Sequence, residues 1–309
     1  MANSTVSDSI EDARQEAGLE SDTTIPAAQD SAMIRATHKY NAEFINASFR
    51  GVTLPLRGQP VQITGMRTGW SFMAASTNIT IVAPDQLNGA LTTASTSVIL
   101  DSATNFDDAG KIIIYSNESS WDVVSYTGKS SNTLTGATGI ASAKLDNDVV
   151  SKLYAVPSDF GKIRSLTFNK SLYRLIESEP DFYNQTITVG DTVVYLGTTP
   201  FPDQNTVTII DDYFWFPKNH DDGIAVLQYW KAPTNLDTGT DSTSLTTLID
   251  LPPEYEDYIK YRNLTRLLRI MGRDATDIYE AEAEAISILQ SAMKTDVKKA
   301  VPNRITLLR

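Results

Sequence analysis

Three pairs of adjacent aspartates, Asp107 with Asp108, Asp211 with Asp212 and Asp221 with Asp222, are the side chains whose type and spacing come nearest to a reaction. Two carboxylates can act as acid and base on a glycosidic bond, and clustered carboxylate oxygens can hold calcium. Each pair falls at a turn signal, where aspartate serves the backbone, and neighbours along a strand point to opposite faces. The pairs are therefore read as turns. Asp146, Asn147 and Asp148 form the densest oxygen cluster, without the glycine and distal glutamate of a calcium loop. Gly128, Gly136 and Gly139 fall between predicted strands with no helix after them, unlike a phosphate-binding loop. Cysteine is absent, which removes disulfides, thiolate ligands and cysteine nucleophiles, and His38 and His220 alone cannot build a histidine-rich metal centre. His38 lies on a polar helix and His220 in a polar turn, so both are read as solvated. Tyr213, Trp215, Phe216 and Trp230 could stack on sugars, but strand alternation places them in a sheet core. No catalytic, cofactor-binding or metal-ligating residue is assigned.

The elements that would carry these residues are legible from periodicity. Ser9 and Asp12 resemble a capping box ahead of Ile10, Ala13, Ala17 and Leu19, stopped at Gly18. After Pro26, Met33, Thr37, Tyr40, Phe44 and Ala47 recur at helical spacing and predict a helix over 27–49. Pro55, Gly58, Pro60, Gly65 and Gly69 then break every pattern before Trp70 and Phe72, so 51–76 reads as a linker with an aromatic anchor. Residues 78–230 are β in texture, with strands predicted at 97–100, 111–115, 123–127, 149–155, 192–196, 207–210 and 224–230. Helical spacing returns at Pro252 and Pro253. Tyr255, Tyr258, Tyr261, Leu264, Leu268 and Met271 form one stripe and Ile259, Leu267 and Ile270 a second, which predicts a helix buried among neighbours. A last helix over 274–295 carries Ile278, Ala285, Ile286, Leu289 and Met293. The bundle core is expected from Tyr40, Phe44, Tyr258, Leu264, Leu268 and Leu289.

These elements predict an α+β protein in which terminal helices form an α-helical bundle flanking a long antiparallel β region with an inserted small β module. The expected divisions are 1–76 for the first helices and linker, 77–240 for the β-rich domain, 241–296 for the last helices and 297–309 for an arm. The module spans about 87–153, and its polar, turn-rich boundaries suggest an insertion that folds independently of the rest. The 309 residues carry 38 acidic and 26 basic side chains, a net charge of −12. Such a surplus argues against wrapping nucleic acid, which requires lysine and arginine facing phosphate. The arm is the exception, because residues 294–309 hold five basic side chains against Asp296 alone. Pro302 bars a helix there, and 304–308 read as a short strand lacking an obvious partner within the chain. The start of the sequence has no basic and apolar signal pattern and no apolar run approaches 18 residues, so assembly in the cytoplasm without a membrane is expected.

Four stretches resemble the head-to-tail adaptor, or connector, proteins of tailed bacteriophages. Ala155-Val156-Pro157-Ser158-Asp159-Phe160, with Lys162 and Ile163, is similar to the element that opens their β core. Leu227-Gln228-Tyr229-Trp230-Lys231-Ala232-Pro233 with Leu236 resembles their strand exit, and Leu251-Pro252-Pro253-Glu254-Tyr255 with Tyr258 and Ile259 the opening of their penultimate helix. Residues 98–106, 110–114, 125–129 and 132–136 resemble a small β module found among phage virion proteins. The resemblance implies a structural virion protein at the head-tail interface, assembled in the host cytoplasm and not an enzyme. It further implies a homododecameric ring that docks beneath the portal protein, meets tail or nozzle proteins, and lets DNA pass without specific binding. The arm residues Lys298, Lys299, Arg304, Ile305, Leu307 and Arg309 would then grip the portal, and the apolar stripes would also serve subunit packing. A competing reading is a tail-associated receptor- or glycan-binding protein presenting Trp121, Trp215 or Trp230 to carbohydrate; a third is an acidic glycan hydrolase.

Overall fold

A computed structural model of the chain describes residues 3–19, 27–66, 69–115, 121–169, 171–176, 186–189, 192–195, 206–216, 221–236 and 241–300. It is a mixed α and β protein with helices near both ends of the sequence and largely antiparallel sheets between them. The chain divides into two compact units, residues 1–75 with 230–309 and residues 76–229.

In the first unit the described helices are α1 (Val6–Glu16), α2 (Ala27–Arg50), α3 (Asp241–Thr246), α4 (Asp257–Ile270) and α5 (Ala275–Ala300). The capping box lies one turn before the expected Ser9 and Asp12. Thr5 N–H donates to Asp8 Oδ2 at 2.9 Å and Asp8 N–H to Thr5 Oγ1 at 3.2 Å, and the Thr5 backbone bond holds the Asp8 carboxyl below its ordinary range. The earlier cap wins because the start of α1 is tied down from outside: Val6 N–H reaches Thr247 O at 3.0 Å and Ile249 N–H reaches Ser4 O at 2.9 Å. Ser9 is instead buried, accepting from the Asn263 amide at 3.3 Å.

Helix α4 is the centre of this unit. It packs on α1, α2 and α5 and buries Tyr258, Ile259, Leu264, Leu267 and Leu268, the two stripes its sequence predicts. Ile270, placed on the second stripe, is exposed because the helix ends beside it. Gly272, at φ +63°, closes the helix with Gly272 N–H to Arg269 O at 3.2 Å and Arg273 N–H to Leu268 O at 3.0 Å. Phe44 and Leu289 are fully buried in the same core and Tyr40 is half-buried against it. The segment expected as a linker is instead partly a hairpin, Val52–Leu56 with Gln59–Ile63, in which Pro55 faces Pro60. Prolines read as breakers are tolerated here because each strand of a two-stranded ribbon has an outer edge that needs no N–H donor. Arg57 and Gly58, both at positive φ, make its two-residue turn.

The second unit is built on a seven-stranded sheet in the order Tyr154–Ala155, Tyr213–Trp215, Thr206–Ile210, Ser171–Ile176, Phe160–Phe168, Gly223–Lys231 and Ala74–Ile81. Its pairs are not all antiparallel: Ser171–Ile176 and Thr206–Ile210 run parallel. The small module contributes a four-stranded sheet, Asp85–Gln86, Val149–Lys152, Gly110–Tyr115 and Trp121–Tyr126, and a three-stranded one, Ser97–Ile99, Thr133–Thr135 and Gly128–Ser130. Alternation along Gly110–Tyr115 explains how the module attaches. Ile112 and Ile114 join the module's own core with Leu100, Val124 and Leu134, whereas Ile113 and Tyr115 point the other way and cluster with Leu153, Ile210 and Trp215. The module thus has its own interior but shares a second one with the main sheet, so removing 88–152 would bare Ile210 and Trp215 to water.

Candidate functional site

The residues considered for chemistry are placed at turns and in cores. Asp211 and Asp212, at φ +47° and +63°, form the turn between Thr206–Ile210 and Tyr213–Trp215. Asp222 accepts Ala83 N–H at 2.6 Å, and Asp107 pairs with Lys152 at 2.7 Å. Asp146 accepts Gly89 N–H and Asp148 accepts Leu145 N–H, each at 2.7 Å, around Asn147 at φ +68°. Among the described residues no three His, Asp or Glu side chains converge as a metal site. His38, expected to be solvated, accepts Leu236 N–H on Nδ1 at 3.3 Å, and His220 lies outside the described residues. Gly128 opens a strand instead of sitting between two. Trp215 and Phe216 are buried, Trp121 is half-buried against the cluster of Tyr115 and Trp215, and Trp230 is half-buried beside Phe49. A Cβ on Gly69 would lie 2.3 Å from the Trp230 ring, which is why glycine stands there.

The stretches that carry the likeness form supports that bond to their surroundings. Asp159 accepts the Tyr229 hydroxyl at 2.7 Å, and the Phe160 ring lies 5.6 Å from that of Tyr229 and 5.9 Å from that of Phe214. The opening of the β core and its exit strand are thus joined to each other. Burial, and then the Asp159 carboxylate, push the Tyr229 hydroxyl up to about 12. Downstream of that strand, Asp250 accepts Thr234 N–H at 2.7 Å, the Thr234 hydroxyl at 2.6 Å and the Asn41 amide at 2.7 Å. One carboxylate therefore clamps the chain to α2. Asp250→Ala is expected to cost about 2–3 kcal/mol, since several charge-assisted bonds are lost together; chemical denaturation of the full chain measures it.

The next stretch builds the aromatic core of the helical unit. Leu251 is fully buried, Pro252 precedes a single 3-10 turn, and Tyr255 comes within 5.8 Å of Phe44 and 6.5 Å of Trp70. The Tyr258 hydroxyl donates to Glu43, which also pairs with Arg262 at 3.3 Å, while the Arg262 guanidinium lies 4.6 Å from the Tyr40 ring centre. Burial and the neighbouring Glu43 charge raise the Tyr258 hydroxyl well above its ordinary value.

Helix α5 runs five residues beyond its expected end, so Lys298 and Lys299 stand on helical backbone. Arg304, Ile305, Leu307 and Arg309 lie outside the described residues. Asp296, counted with the basic tail, is buried and accepts Ser71 N–H at 3.1 Å and the Ser71 hydroxyl, fixing the turn Ser71–Met73 to α5. Glu282, equally buried, takes Arg57 N–H at 3.2 Å and the Arg269 guanidinium. Sequence reasoning missed both carboxylates, although they fall on the stripe of Ile278, Ala285, Leu289 and Met293. An acid on an apolar stripe marks a polar partner inside.

Among the described residues, turns and cores stand where a reaction centre was sought, and bonded supports stand at the stretches that carry the likeness. The sequence model of the family described as SU10 adaptor protein matches residues 126–305, more than half of the chain and all three of the later stretches. Among curated proteins no match is found. The chain belongs to the SU10 adaptor protein family and is a head-to-tail adaptor of a tailed bacteriophage.

Proposed function

We propose that twelve copies of the chain form a ring beneath the portal protein that extends the DNA channel and offers the attachment surface for tail or nozzle proteins. The observation that carries this reading is the family match over 126–305. Physics favours it as well. A net charge of −12 per copy gives a ring that repels DNA phosphate, so the polymer slides without being held. In the virion the protein sits at the head-tail interface, after assembly in the host cytoplasm. No described helix is long and apolar enough to cross a membrane. The carbohydrate-binding alternative needs an aromatic platform, and Trp121, Trp215 and Trp230 are buried or half-buried.

The arm is the proposed grip on the portal, with Ile305 and Leu307 completing a sheet edge while Lys298, Lys299, Arg304 and Arg309 meet acidic groups around it. Nine residues follow α5, enough to extend about 30 Å from its end. Removing 301–309 leaves α5 whole and is expected to weaken binding to isolated portal rings by about tenfold or more, with a flatter salt dependence. Undiminished affinity with unchanged salt dependence would remove the arm from the account.

A further inference from the structure

Part of one face of the seven-stranded sheet, on Phe160–Phe168, Gly223–Lys231 and the start of Ser171–Ile176 before Arg174, carries no charged side chain, although it lies in the more acidic half of the molecule. Residues 76–229 hold 18 acidic against nine basic side chains. On the strand Gly223–Lys231, Ala225, Leu227 and Tyr229 are buried, so Ile224, Val226 and Gln228 point to the opposite face. Gln228 accepts the Ser165 hydroxyl at 3.1 Å, which puts Ser165, and two residues on Thr167, on that same face. Thr167 is paired with Leu172 on the neighbouring strand. None of these six side chains is charged, and Leu172 and Ile224 are 65% and 56% exposed. The adjoining strand Ala74–Ile81 is the last of the sheet among the described residues. It is eight residues long and has neither a charge nor a proline on either face. Natural sheets ordinarily guard such an edge with lysine, proline or a bulge, because its free N–H and C=O groups invite another strand.

We infer that this face and its Ala74–Ile81 edge are the surface on which a second copy of the chain packs, an inference that rests on the ring reading above. Charge selects the occupant. A basic partner is drawn to the acidic surface around the face, whereas another copy at −12 is repelled there and can approach closely only where charge is missing. Interface cores are likewise depleted of charge.

The test is native mass spectrometry of the full chain, with and without portal rings, on wild type, Leu172→Lys/Ile224→Lys and Leu172→Glu/Ile224→Glu. Both sites are exposed, and a thermal melt checks that each variant is folded; Thr80→Lys, on the edge strand, decides if either double variant is not. The inference expects a wild-type ring and a ring population reduced by about tenfold or more in both double variants. The lysine pair is the discriminating arm, since it lowers the net negative charge and would promote association if long-range repulsion alone mattered. A lysine variant that assembles as well as wild type overturns the face while leaving the ring standing. A wild type that forms no ring in either condition overturns the ring reading and this inference with it.

Discussion

Phe44→Ala is expected to lower stability by about 3–5 kcal/mol, the range for removing a fully buried aromatic side chain. The ring is the contact point of the helical unit. It stacks on Trp70 at 4.9 Å, meets Tyr258 edge-on at 5.0 Å and lies 5.8 Å from Tyr255. Alanine leaves a cavity bounded by three large rings that cannot all collapse into it. The Trp70 indole N–H donates to the Phe44 carbonyl at 2.9 Å, a backbone bond that the substitution spares, so the loss reports packing and not hydrogen bonding. Phe44→Leu, which retains more of the volume, should cost less than half as much. Urea denaturation followed by far-ultraviolet circular dichroism measures both. Equal effects for the two variants would contradict the packing account.

Lys144→Met is expected to be as damaging in the small module. The lysine Nζ is fully buried, 3.3 Å from Asp122 Oδ2, and removing one partner of such a pair costs about 3–5 kcal/mol because the other charge stays uncompensated. Asp122 also accepts Ala141 N–H at 3.2 Å, Ser142 N–H at 3.0 Å and the Ser142 hydroxyl at 3.1 Å. An apolar residue at 122 would orphan two backbone donors, so the pair cannot be exchanged cheaply for hydrocarbon. Asp122→Asn keeps an acceptor and discards the charge. The double variant Lys144→Met/Asp122→Asn should therefore recover part of the loss, and a double variant worse than the single would refute the explanation.

Helix α4 shows what the sequence made legible. Its two stripes demanded neighbours on two sides, and the burial of Tyr258, Ile259, Leu264, Leu267 and Leu268 follows from that spacing. The hairpin of Val52–Leu56 and Gln59–Ile63 was hidden, because proline and glycine signal interruption locally and only pairing across the ribbon tells an edge strand from a loop. The same limit applies to Gly110–Tyr115. A run of three isoleucines says that both faces are covered, but not that one face closes the module while the other joins Ile210 and Trp215. Polar contacts distant in sequence were the least readable. Asp250, Glu282 and Asp296 each hold backbone groups more than 15 residues away, and nothing short-range announces such a partner.

The uncharged patch on the sheet became visible only when strand order was known. Thr167, Leu172, Ile224 and Gln228 come from three strands, and no one of those strands alone is unusual. The likeness of 155–163, 227–236 and 251–259 to adaptor sequences was legible at once, because these stretches carry bonded aromatic and acidic residues such as Asp159, Phe160, Tyr229 and Tyr255 whose partners lie in the same fold.

Electron microscopy of whole virions labelled with an antibody against this chain tests the central claim most directly. The account places the label as a collar between the head vertex and the tail, in every tailed particle and on packaged heads that lack the distal tail. Label confined to the tail tip, with bare necks, would contradict it.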